Sequence, residues 1–235
     1  MKHLGKYLLF VICQACFSCS LSASSEGKIL NSSEYTDSIV DMRLMTYYFD
    51  MKINHSSETA NTALLLIDSL LHVYREDDFK HAKYSMQKIQ FLYMNNCVPE
   101  AIAFLENDTC KMWQKIGGPY YKQILVNRLL AMSAYSQNDT VAYKKYLSDI
   151  LSLVEKYISE NKDEYAKFMK EDINHLKGKY IVTATEYIYY SYLVYGKEEA
   201  DKRIREYEKL YCIDKATADY LRDLYDLDFM ESISL

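Results

Sequence analysis

Apolar residues recur along this chain at steps of three and four, the repeat of an amphipathic helix. The pattern is densest between Pro119 and Ile158. Gly117-Gly118 breaks the preceding segment, and Pro119 suits a helical first turn because its missing N–H has no partner there anyway. Tyr121, Leu125, Leu129 and Met132 then form one stripe, widened by Ile124, Val126 and Leu130. The spacing predicts a helix that packs on more than one side. Its last turn, Ala131, Ser133, Ala134 and Ser136, is small enough to let another backbone approach. Gln137-Asn138-Asp139 follows as a tight polar turn, with Asn138 or Asp139 able to cap a second helix. There Tyr143, Leu147, Ile150, Val154 and Tyr157 make a buried face, and Lys144, Lys145, Asp149, Ser152, Glu155 and Lys156 a wet one.

The same pattern runs before and after this hairpin. Val40, Leu44, Tyr47 and Met51 predict a helix from about Thr36; Asn54 to Ser57 offers a turn with cap candidates. Ala60, Ala63, Leu64, Ile67, Leu71 and Tyr74 give the next stripe, and Ala82, Met86, Ile89 and Tyr93 another after a turn at Arg75 to Asp78. Asn95-Asn96 ends that helix and Pro99 opens a further one, either continuous to Gly117 or split at Asn107-Asp108-Thr109. Asn161 with Glu164 resembles a capping box before Tyr165, Phe168, Met169, Ile173 and Leu176, and Gly178 stops that helix. Ala200, Ile204, Tyr207 and Tyr211 form a later face, and Asp214 caps a last helix with Leu221, Leu224 and Tyr225. Tyr180 to Tyr195 is the exception, because its β-branched and aromatic content favours strand. At sixteen residues without a turn it is long for one strand. It is read as a buried helix, with strand as the alternative.

Two antiparallel helices cannot bury both their apolar faces alone, so stacking of neighbouring pairs is expected. Ala131 and Tyr135 late in one helix, the polar turn, and Ala142 and Tyr146 early in the next resemble a degenerate tetratricopeptide repeat. Asp77 to Met86 and Tyr195 to Ile204 are similar, whereas the family's Trp, Leu-Gly and closing Pro are absent from their places. The resemblance implies an all-α fold of antiparallel hairpins stacked as a short right-handed superhelix. It also implies a concave surface for a protein or peptide partner.

Composition agrees with a helical core. Hydrophobic content is 49%, and six Gly and two Pro argue against a turn-rich β-sandwich or a glycine-rich nucleotide loop. The first residues have another role. Lys2, His3 and Lys6 precede an apolar run from Tyr7 to Phe17, too short to span a bilayer and flanked like a secretory signal. Cys16-Phe17-Ser18-Cys19 resembles a bacterial lipobox of the looser Bacteroidota type. That resemblance implies cleavage after Ser18, lipidation of Cys19, and an outer membrane lipoprotein of the cell envelope, facing the periplasm or the surface. Residues 1–18 are then the signal peptide, 19–35 the lipidated Cys and a Ser-rich flexible tether, and 36–235 the helical domain. The formal charge of −5 becomes −7 without residues 1–18, from 26 basic and 33 acidic side chains. Such a balance gives no general attraction to nucleic acid, and membrane attachment is expected through the lipid anchor only.

No catalytic or cofactor signature stands out. Cys97, Cys110 and Cys212 would remain as buried free thiols. In one continuous helix the first two would lie roughly 20 Å apart, beyond disulfide reach. His55, His72, His81 and His175 lack the spacing of a helical metal site. Asp219, Asp223, Asp226 and Asp228, the first three on one helix face, read as a solvated acidic face. Tyrosine is the anomaly, with 24 residues against one Trp. Tyr187, Tyr189, Tyr190, Tyr192 and Tyr195 cover too many helix directions to face one core. Some are therefore expected to pack between helices and some to form a binding surface. The functional expectation is a binding module for a protein or peptide, not an enzyme, with no cofactor and no metal. The alternative is an accessory protein that binds carbohydrate through exposed tyrosines.

Overall fold

The structure, a computed structural model, describes residues 32–226. The residues read as a signal segment, Cys19 and most of the stretch read as a tether lie outside the described residues. Eleven α-helices and two short 3₁₀ turns make up the described chain, with no strand among the described residues, so the fold is all-α. In order the helices are α1 (Ser32–Asn54), α2 (Ser57–Val73), α3 (Asp78–Met94), α4 (Val98–Asn107), α5 (Met112–Gly117), α6 (Tyr121–Ser136), α7 (Thr140–Glu160), α8 (Lys162–Glu171), α9 (Ile181–Tyr195), α10 (Lys197–Tyr211) and α11 (Lys215–Asp223).

Helix starts follow the cap chemistry. The carboxylate or hydroxyl oxygens of Ser56, Asp77, Asp139 and Asp214 each accept from backbone N–H groups two or three residues on. Several ends use a left-handed residue: His55, Asn96 and Asn138 have φ of 51°, 59° and 57°. At Gly118 the φ of +82° needs a glycine, and a Cβ there would sit 2.3 Å from the Tyr157 ring.

The helices pack largely in chain order. α1 lies on α2 and α3, α3 on α4, and α4 on α6; α6 pairs with α7, α7 with α9, and α9 with α10. Short α5 wedges against α3, α6 and α9. Three apolar clusters result. The first centres on Leu44, Met51, Ile67 and Phe91, the second on Trp113, Leu129, Leu147 and Tyr190, and the third on Tyr157, Phe168, Ile188 and Tyr207. Tyr120 packs against both the second and the third.

Four details depart from the sequence reading. α1 begins at Ser32, inside the stretch expected as tether; Ser and Glu are common first-turn residues as well as linker residues. Asn161 makes no capping box. Its amide donates back to the Tyr157 carbonyl, and Glu164 instead accepts from Tyr180 Oη and Lys179. α8 ends at Glu171, and Leu176 is a left-handed residue with φ of 49° before Gly178 rather than part of the stripe. Cys212 is exposed at the left-handed end of α10, not buried.

Tyr180 to Tyr195 resolves as helix: α9 spans nearly all of it. α9 meets α5, α7, α10, α11 and the last 3₁₀ turn, so tertiary packing overrides local β propensity. Thr185 and Ser191 also satisfy their hydroxyls on carbonyls one turn back.

Candidate functional site

The tyrosines of α9 are sorted by direction. Tyr190 is fully buried and accepts from Arg128 Nε at 2.7 Å. Tyr189 is buried edge-on against it, with ring centroids 5.5 Å apart. Neither belongs to a surface, because these directions of the helix face the middle core. Tyr187 is half-buried between Tyr207 and the Arg203 guanidinium, which lies 4.4 Å above its ring. Tyr192 stacks on Tyr225 at 4.7 Å, and Tyr225 in turn donates to Asp201. Tyr195, 59% exposed at the helix end, is the ring of the five that faces solvent. Arg203 stands 5.6 Å from it and is held by Glu155 and Glu199.

A concavity lies elsewhere. An open cleft of about 630 Å³ runs between the end of α3, the outer side of α4 and the end of α6. Tyr93, Val98, Ile102 and Leu130 supply apolar lining; Asn96, Ser133, Ser136 and Gln137 supply polar groups. Glu106 is the one charged side chain of this lining. Burial raises the Tyr93 phenol, so its ring stays neutral at any ordinary pH.

Two equivalent helix ends border the cleft. After α3, Asn96 N–H donates to Tyr93 O and Cys97 N–H to Leu92 O; after α6, Asn138 N–H donates to Tyr135 O and Asp139 N–H to Ala134 O. The left-handed asparagines turn the chain sharply at both places, so α4 and α7 leave without filling the space. Pro99 in the first turn of α4 adds a rigid edge. The sequence showed both turns and the Pro, but it did not show that α4 would set them side by side.

Two buried polar clusters support this framework, and sequence reasoning missed both. Arg128 on α6 donates to Glu186 on α9 at 2.7 Å, with both side chains about nine-tenths buried. Burial works against the Arg128 charge, and Tyr190 and Glu186 outweigh it and hold it protonated. Burial lifts the Glu186 carboxyl, and Arg128 opposes the lift. Burial pushes the nearby Tyr121 phenol up to about 12. The second cluster is Asp108, whose carboxylate is almost fully buried. It accepts from Trp113 Nε1 at 3.1 Å and Cys110 N–H at 2.9 Å, and meets His81 Nε2 at 3.2 Å. Lys122 adds bonds to the Glu106 and Asp108 carbonyls. This knot fixes the break between α4 and α5, and with it the cleft wall. An Arg in the stripe of α6 and a Glu inside the tyrosine segment were the available signals; neither pairs locally.

Cys97 and Cys110 are half-buried free thiols, and burial raises the Cys110 pKa. Among the described residues, no group of three or more His, Cys, Asp and Glu side chains converges as a metal site. No helix among the described residues is long and apolar enough to cross a membrane. Comparison with known proteins finds no match: no protein-family model fits the chain, and no curated protein or solved structure is detectably similar to it.

Proposed function

We propose that this protein is a helical-repeat binding module whose cleft between α3, α4 and α6 receives a short segment of a protein or peptide partner. The cleft itself carries the reading. It is open, apolar at its base and polar at its edge, the composition that orients a bound segment while burying part of it. With Glu106 and no basic side chain in the lining, it suits an apolar segment bearing one cation or neutral donors. A photo-reactive residue at Ser136 should capture the partner in cells, and the same group at exposed Lys209 should not. Ile102→Glu should then weaken binding by about 2 kcal/mol or more, measured on protein shown to be folded because Ile102 also packs against the middle core. A partner whose affinity ignores Ile102→Glu and Leu130→Glu would remove the cleft from the account.

A carbohydrate surface on α9 is a second reading, and the pairing of exposed Tyr195 with Arg203 favours it. Tyr195→Ala should abolish glycan retention on an affinity column if that reading holds, and leave peptide binding unchanged. For location, we infer an envelope lipoprotein lipidated at Cys19, supported by the charged start, short apolar run and Ser18-Cys19 junction. Cys19→Ala should release the protein from membranes or leave it unprocessed. Unchanged fractionation and unchanged mass would overturn that inference.

A further inference from the structure

The first described helix has two apolar faces. Val40, Leu44, Tyr47 and Met51 point into the first core. Ile39, Met42, Met45, Phe49 and Ile53 recur at steps of three and four on the opposite side and stay exposed. Ile53 is 74%, Met42 61% and Phe49 54% accessible. An end helix in a stack of this kind ordinarily carries a polar outer face, because nothing follows to cover it. A continuous apolar stripe there marks an interaction surface.

The charges beside the stripe indicate what covers it. Arg43 and Asp50 lie seven residues apart on one flank, and Asp41 and Lys52 lie eleven apart on the other. In an antiparallel helix pair related by a two-fold axis, each flank meets the same flank of its mate. An axis passing beside Thr46 sets Ile39 against Ile53 of the second copy and Met42 against Phe49 of the second copy. The same axis sets Arg43 against Asp50 of the second copy and Asp41 against Lys52 of the second copy. Apolar and charged positions thus agree on one register. Asp50 is already held in place by Asn54 and Thr59, so this acidic side chain is preorganised. A membrane surface fits less well: the polar flanks carry both signs, whereas a helix lying on lipid is rich in Lys and Arg.

We propose that a second copy of this chain covers the outer face of α1, giving a two-fold symmetric dimer with antiparallel α1 helices. The full chain, purified in detergent and measured by light scattering, should give a protein mass of two copies. Phe49→Glu should raise the dimer dissociation constant by about tenfold or more. Arg43→Glu with Lys52→Glu should do the same while leaving the stripe intact. Both variants change exposed positions and should keep the wild-type circular dichroism. A photo-reactive residue at Ile39, in a mixture of isotopically light and heavy chains, should link to the Ile53 region of the other copy. A monomer at tens of micromolar overturns the proposal, as does association that survives Phe49→Glu. So does a crosslink to residues 1–31 of the same chain, or loss of the dimer in favour of phosphatidylcholine vesicles.

Discussion

α6 and α1 are both apolar on more than one side, and the fold treats them differently. α6 sits mid-stack, where α4, α5 and α7 cover it, and eight of its sixteen residues are buried. α1 is the first described helix, where α2 and α3 cover one side and, among the described residues, the other side stays open. The same sequence pattern therefore has two outcomes, decided by position in the stack. Apolar breadth says how many faces a helix must cover. It does not say whether the chain itself supplies the cover.

The largest test of this contrast places one charge in each region. Leu147 on α7 is fully buried against the middle core. Leu147→Asp should cost about 4 kcal/mol or more and leave little folded protein. Phe49→Asp on the open face of α1 and Lys145→Asp on the wet face of α7 should each shift stability by about 0.5 kcal/mol or less in the monomer. Equal melting temperatures for Leu147→Asp and Lys145→Asp would show the faces wrongly assigned. The next effect concerns the ion pair that ties α6 to α9. Arg128→Met leaves Glu186 buried without its cation and should cost about 3–5 kcal/mol. Arg128→Met combined with Glu186→Met should recover much of that loss. If denaturant unfolding shows the two single costs simply adding in the double variant, the pair is not coupled as its geometry implies.

Much of the helical framework was legible in the sequence because it rests on local chemistry. The hairpin of α6 and α7 follows from its stripes and from the Asn138-Asp139 turn, and Asp139 and Asp214 cap where their side chains dictate. α9 was readable only through its length and its neighbours, since its composition favours strand. The cleft was not legible, because packing and not spacing brings Asn96 and Gln137 to one cleft. The Arg128–Glu186 bond spans 58 residues, and no local pattern announces such a pair. The tyrosines of α9 could be counted but not sorted. Which of them face solvent depends on where α6, α7, α10 and the last 3₁₀ turn lie.

Asp108 sharpens the middle of the contrast at a smaller scale. Asp108→Ala removes the acceptor of Trp113 Nε1 and Cys110 N–H, and the partner of His81. Leaving such buried groups unsatisfied should cost about 1–3 kcal/mol. Fluorescence should also shift, because Trp113 is the single tryptophan and is buried. The cleft wall should loosen with it, seen as faster amide exchange in α4 and α5 but not in α1. Uniform loss of protection across all helices would mean that Asp108 supports the whole fold rather than this wall.

The smallest expected effect lies at the open end. Asp37 on α1 accepts from Tyr74 Oη at 2.5 Å and pairs with Lys80 at 2.6 Å, linking α1 to the end of α2 and to α3. Partial burial works to raise its carboxyl, but the hydrogen bonds from Lys80 and Tyr74 outweigh burial, so its pKa lies below the ordinary 3.8. A depressed carboxylate stabilises the fold above its unfolded pKa, and that contribution fades as pH falls through the lower folded value. The site is near the surface, so the contribution should be about 1 kcal/mol or less. Below pH of about 3.8, amide protection in α1 should fall, after correction for intrinsic exchange rates, while Trp113 fluorescence holds. Asp37→Asn should lower α1 protection at neutral pH and flatten its acid response. If α1 and Trp113 respond together in the wild type, the end of the stack is not a separately melting unit. If Asp37→Asn keeps the full acid response of α1, other carboxylates hold the helix. Either result would leave the contrast between the middle and the end to apolar cover alone.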